Sequence, residues 1–116
     1  MVQGTNFTST SDESIKENVE TAPQDTCSQI FQQIQAKTYS RTDGVEGKRI
    51  GFLAQDVQNA LGGSDLGGVT NVVTRDIQRP SLLALDYVRL LPILWQVVKN
   101  QEARIAALEA GQSSPQ

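Results

Sequence analysis

Between Leu82 and Val98 only Asp86, Arg89, Pro92 and Gln96 interrupt an apolar run. A helix or strand with one buried face cannot hide all of it. From Tyr87 onward the pattern resolves: Tyr87, Leu91, Leu94, Val98, Gln101, Ile105 and Leu108 alternate steps of four and three, the spacing of a coiled-coil seam. Asp86 is placed to cap this helix and Gly111 to stop it. Pro92 must kink or restart it, because an unbroken helix would leave the Val88 carbonyl unpaired and crowded. Arg104 and Glu109 fall at flanking g and e positions, where interchain ion pairs form, and Gln101 is a polar seam residue of the kind that fixes register. The alternative is an amphipathic helix packed on the chain's own sheet.

The chain has 116 residues, of which 38% are hydrophobic, so it builds one small domain with a lean core that a partner chain is expected to complete. Ten Lys and Arg against 13 Asp and Glu leave a net charge of −3, with no basic stripe to attract polyphosphate. A nucleic-acid partner is not expected. Asp86 and Arg89 break the richest apolar stretch, and Met1 to Asn6 lack the basic start and apolar run of a signal peptide, so no membrane association is expected. There is no His and a single Cys, which excludes Ser-His-Asp and Cys-His catalysis, Cys/His zinc sites and an intrachain disulfide. No metal or other cofactor is expected. Cys27 falls on an apolar helical spacing and reads as a small buried hydrophobe. Asn6-Phe7-Thr8 matches a glycosylation sequon that, without a secretion signal, reads as coincidence.

Residues 1–10 are polar and without period, the expected end of an extended segment or linker that leads in from elsewhere. Asp12 to Glu20 predicts a short helix with overlapping capping boxes, Thr10 with Glu13 and Ser14 with Glu17, ended by Pro23. Thr26 and Gln29 form another box ahead of Cys27, Ile30, Phe31 and Ile34, one buried helical face. Ala36–Thr42 and Lys48–Leu53 read as a hairpin with a loop of about five residues around Asp43-Gly44 and Gly47. Leu53, Val57, Ala60 and Leu61 predict a second helix, with Gly62 left-handed at its end. After the Gly62-Gly63 and Gly67-Gly68 loop, Val69, Val72, Val73 and Leu82 to Leu85 are β-prone around a turn at Arg79-Pro80, and are expected to finish a small antiparallel sheet. The fold class is therefore α+β, with antiparallel hairpins, short helices and a long C-terminal coiled-coil helix. Residues 11–85 form the core, 86–110 the coiled-coil helix and 111–116 a disordered tail.

Ser11-Asp12-Glu13-Ser14-Ile15-Lys16-Glu17-Asn18-Val19 resembles the S-D-x-x-[LI]-K-x-N-[IV] signature of the C-terminal intramolecular chaperone domain of phage endosialidases, tail fibres and spikes. Gly51-Phe52-Leu53-Ala54-Gln55-Asp56-Val57 is similar to the family's G-x-x-A-Q-[DE]-V, and Leu85-Asp86-Tyr87 to its lead-in to a terminal coiled-coil helix. The chain departs from the family at Ser14, where many members have a basic residue, and at Leu61-Gly62, where a Pro often follows. The resemblance implies an intertwined homotrimer that folds the fibre or spike preceding it in the same chain, in the host cytoplasm during virion assembly, and then releases itself. It places the cut between Thr10 and Ser11, the catalytic dyad at Ser11 and Lys16, and site-shaping roles at Asp12 and Asn18. Leu91, Leu94, Val98, Gln101, Ile105 and Leu108 would line the trimer seam.

A serine hydroxyl needs a base, and with no His a desolvated lysine is the available type, since a lysine titrates near 10.4 in water and must fall by about three units to work at neutral pH. Such desolvation suits a site completed only when chains meet. Residues five apart on a helix differ by about 140°, so Ser11 must lie in extended backbone before the helix, or the lysine must come from a neighbouring chain. The same residues also fit a plain exposed turn, with Lys16 paired to Asp12 or Glu20. Outside self-cleavage, the alternatives are a permanent trimerisation module and a receptor-binding fibre tip.

Overall fold

The computed structural model describes residues 10–112. Residues 1–9, which include the sequon and most of the leading segment, and residues 113–116 of the expected tail lie outside the described residues. The order is a 3-10 turn (Glu13–Ile15), α1 (Gln24–Gln33), β1 (Lys37–Tyr39), β2 (Arg49–Gly51), α2 (Ala54–Gly62), β3 (Val73–Arg75), β4 (Leu83–Leu85), a 3-10 turn (Tyr87–Leu90) and α3 (Leu91–Gln112). The α+β class stands.

The expected helix over Asp12–Glu20 contracts to the first 3-10 turn. Ile15 and Val19 find no packing partner among the described residues and remain exposed, and a single turn without tertiary packing does not propagate. Its cap is Asp12, not Thr10 or Ser14. The second box fails as well: α1 starts at Gln24 behind Pro23 with no side-chain cap, and Thr26 lies inside the helix, its hydroxyl donating to Asp65 Oδ2 at 3.5 Å. The apolar face is as the spacing predicts, with Cys27 and Ile30 fully buried and Phe31 at its edge. Burial also pushes the Cys27 thiol above its ordinary pKa.

β1 and β2 pair antiparallel, Thr38 opposite Ile50, but over short strands. The connecting loop runs through 40–48 and is longer than expected: an Arg41–Asp43 ion pair closes its first part, and Gly44 and Gly47 after it both adopt left-handed backbone. β3 and β4 pair separately, Thr74 opposite Ala84, so there are two two-stranded sheets where one was expected. Arg79 Nη1, in the β3–β4 turn, reaches Asp43 Oδ2 at 3.2 Å and ties the two hairpin ends together. Gly62 belongs to α2 and is not left-handed; the helix is closed by the Gly63 N–H donating to the Asn59 carbonyl.

Asp86 caps the second 3-10 turn by accepting from the Val88 N–H at 3.1 Å, and the α-helix proper restarts at Leu91 with Pro92 in its first turn. There a missing N–H costs nothing. Gly111 does not stop α3, which runs to Gln112, so the first residues assigned to a disordered tail are helical. α3 packs on α1, not on a sheet, with Val97 buried between them. The core is Ile30, Val57, Ala60, Leu61 and Val72, closed by partly buried Phe52, Leu90 and Ile93.

Candidate catalytic turn

Ser11 and Lys16 meet within one chain: Lys16 Nζ donates to Ser11 Oγ at 2.8 Å. The 140° objection disappears because the helix between them is a single 3-10 turn, flanked by extended backbone at Asp12 (φ −69°, ψ 137°) and Lys16 (φ −112°, ψ 144°). Ser11 thus lies ahead of the turn, as one of the two geometric alternatives required. Asp12 Oδ1 accepts from the Ser14 N–H at 2.8 Å, and hydrogen bonding from Ser14 holds the Asp12 carboxyl below its ordinary pKa. The Lys16 N–H closes the turn on the Glu13 carbonyl at 3.0 Å. Asn18 then turns the chain with a φ of 54°, the one non-glycine residue with positive φ among the described residues. No ion pair joins Lys16 to Asp12 or Glu20 among the described residues.

Every residue from Thr10 to Glu20 is exposed, and among the described residues no other element packs against the turn. Ser11 and Lys16 are brought together; they are not enclosed. The seam residues are equally open, with Leu91 59%, Leu94 44%, Val98 53%, Ile105 52% and Leu108 65% exposed. Gln101, too, faces solvent.

Two contacts that sequence reasoning did not foresee hold the motifs in place. The Phe52 N–H donates to Tyr87 Oη at 2.8 Å, and the rings of Phe52 and Tyr87 lie 5.7 Å apart. This joins the Gly51-Phe52 motif to the lead-in of α3. Gly51 is glycine because a Cβ there would overlap the Tyr87 hydroxyl. The second contact runs from Gln96 Nε2 to the Ala22 carbonyl at 2.6 Å. The residues in each pair lie 35 and 74 positions apart, beyond any periodicity.

An apolar groove of about 270 Å³ between α1 and the start of α3 is lined by Ile30, Ile34, Phe52, Tyr87, Leu90 and Ile93 among others, and the Tyr87 hydroxyl in it accepts from the Phe52 N–H. Among the described residues there is no cluster of His, Cys, Asp and Glu that could hold a metal ion, and no helix long and apolar enough to cross a membrane.

The fold and the turn define a small α+β domain with an exposed Ser-Lys pair at its leading edge and a terminal helix that packs on α1 by one face and exposes apolar residues on the other. Residues 11–66 match the protein-family model Peptidase_S74, chaperone of endosialidase, which is the family the motifs resemble. The match begins at Ser11 and takes in the first two motifs. No curated protein and no solved structure matches the chain.

Proposed function

We propose that this domain is a C-terminal intramolecular chaperone that trimerises, promotes folding of a phage tail fibre or spike ahead of it, and releases itself by cutting between Thr10 and Ser11. The chaperone role rests on the family match. The self-cleavage rests on one observation, the 2.8 Å hydrogen bond between Lys16 Nζ and Ser11 Oγ at the first residue of that match.

In the reaction the neutral Lys16 amine takes the Ser11 hydroxyl proton while Oγ attacks the Thr10 carbonyl carbon through a five-membered ring. The Thr10–Ser11 C–N bond breaks, the proton passes from Lys16 to the Ser11 nitrogen, and an ester joins Thr10 to Ser11 Oγ. Water then cleaves the ester, leaving a Thr10 carboxylate and a free Ser11 amine and hydroxyl. In the isolated chain Lys16 is exposed and its Nζ donates to Ser11 Oγ. Packing of a neighbouring chain over the turn would desolvate it and favour the neutral base. Cleavage then reports assembly. Trimerisation would also hold fibre chains in register, which matters for slow, non-local β pairing, and loss of the domain afterwards leaves the fibre kinetically trapped. The domain would act in the host cytoplasm, on the virion tail until release.

The exposure of Lys16 equally favours a second reading, a permanent trimerisation module without enzymatic function. Intact mass of the assembled, then denatured chain decides between them. Loss of residues 1–10 in the parent but not in Ser11→Ala or Lys16→Ala establishes the protease; full-length mass in all of them leaves the module.

A further inference from the structure

Residues 10–20 are exposed throughout and, among the described residues, touch no other element, yet their root is tied to the domain. Among the described residues, the hydrogen bond that joins the leading segment to the body runs from Gln96 Nε2 to the Ala22 carbonyl. That carbonyl lies directly before Pro23, the residue that precedes α1. One turn further along α3, Asn100 Nδ2 donates to Ser28 Oγ at 3.3 Å, so Gln96 and Asn100 form a polar stripe beside Val97 that grips α1 and its lead-in. The same turns of α3 present Leu94, Trp95 and Val98 outward.

We propose that Gln96 is a positioning residue for the Thr10–Ser11 cut: it acts through the Ala22 carbonyl to fix where the Ser11–Lys16 turn stands relative to α3. The inference rests on the self-cleavage reading above. The chain from Lys16 to Ala22 reaches at most about 20 Å when extended. With its root pinned to α3, the turn stays beside whatever packs on the outward face of that helix, which is what must cover Lys16. Without the pin the Ser11–Lys16 hydrogen bond still forms, since Asp12 and the 3-10 turn make it locally, but the pair is presented to its cover in more than one direction. The requirement is for a donor. A glutamate of the same shape sets one acceptor against another, whereas a lysine restores a donor on a different frame.

The test is the rate of loss of residues 1–10 from the full chain, read by intact mass at a concentration where light scattering shows assembly complete. Gln96→Glu is expected to cut at least about tenfold more slowly, within the roughly hundredfold that misplacement by about 1 Å can cost. Its assembled mass and the concentration at half-assembly should be unchanged, and Gln96→Lys should recover most of the parent rate. A Gln96→Glu rate equal to the parent's, a Gln96→Lys rate as slow as that of Gln96→Glu, or a slow rate that merely follows lost assembly overturns the proposal. A parent that is never cut removes the self-cleavage reading itself and this inference with it, so the two failures are distinct.

Discussion

Asn18 spends its backbone in the left-handed region, where a side chain costs about 1–2 kcal/mol unless it is Asn, Asp or Gly. Asn18→Gly is therefore expected to cleave like the parent, and Asn18→Val to slow cleavage by redirecting the chain beyond Lys16; the intact-mass assay compares them. Asp12 makes a pH-dependent contribution whose sign follows from its lowered pKa. The folded carboxyl stays ionised to lower pH than the unfolded one, so the cap is fully present above the ordinary value of 3.8 and is lost as pH falls through the lower folded value. An NMR titration of the Asp12 carboxyl should show a midpoint below 3.8, and one at or above it would contradict the cap. Asp43 behaves alike, held well below the carboxylate range first by Arg41 and also by Arg79. At Gly51 a methyl group collides with Tyr87 Oη, so Gly51→Ala should cost about 1–3 kcal/mol in chemical denaturation. Adding Tyr87→Phe should return part of that loss, because the double variant regains the space though it leaves the Phe52 N–H unpaired.

At the scale of elements, α3 carries apolar residues on two faces with different fates. Val97 is 3% exposed against α1, while Val98 beside it is 53% exposed. Val97→Asp should unfold the domain, because it buries a charge with no partner. Val98→Asp should leave the circular dichroism spectrum of the single chain intact and abolish assembly by light scattering. Assembly unchanged in Val98→Asp would mean that the outward face has no partner. The periods of α1 and α2 were legible because local spacing decides which side of a helix is greasy. Their ends were not. Thr26 looks like a cap in isolation but is drawn to Asp65, and Gly62 looks like a stop but continues the helix, since each choice depends on a loop distant in sequence or on the backbone just beyond. The separation into two small sheets was equally illegible, since strand pairing between hairpins has no local signature.

The outward face of α3, where Leu91, Val98, Ile105 and Leu108 are each more than half exposed, is the surface that the proposed assembly would cover, and the proposal predicts a thermal midpoint that rises with protein concentration. A midpoint independent of concentration over a hundredfold range would mark a self-sufficient monomer. Order of motifs, helix periodicity and the exclusion of His- and Cys-based chemistry needed no structure, because each is carried by residue type and local spacing along the chain. The tertiary structure alone decided that Lys16 reaches Ser11 within one chain, that Tyr87 requires a glycine at position 51, and that Gln96 holds the root of the leading segment. The physical reason is that a hydrogen bond is settled within a few tenths of an ångström, by where a turn ends or how one helix lies against another, and neither distance is written in spacing.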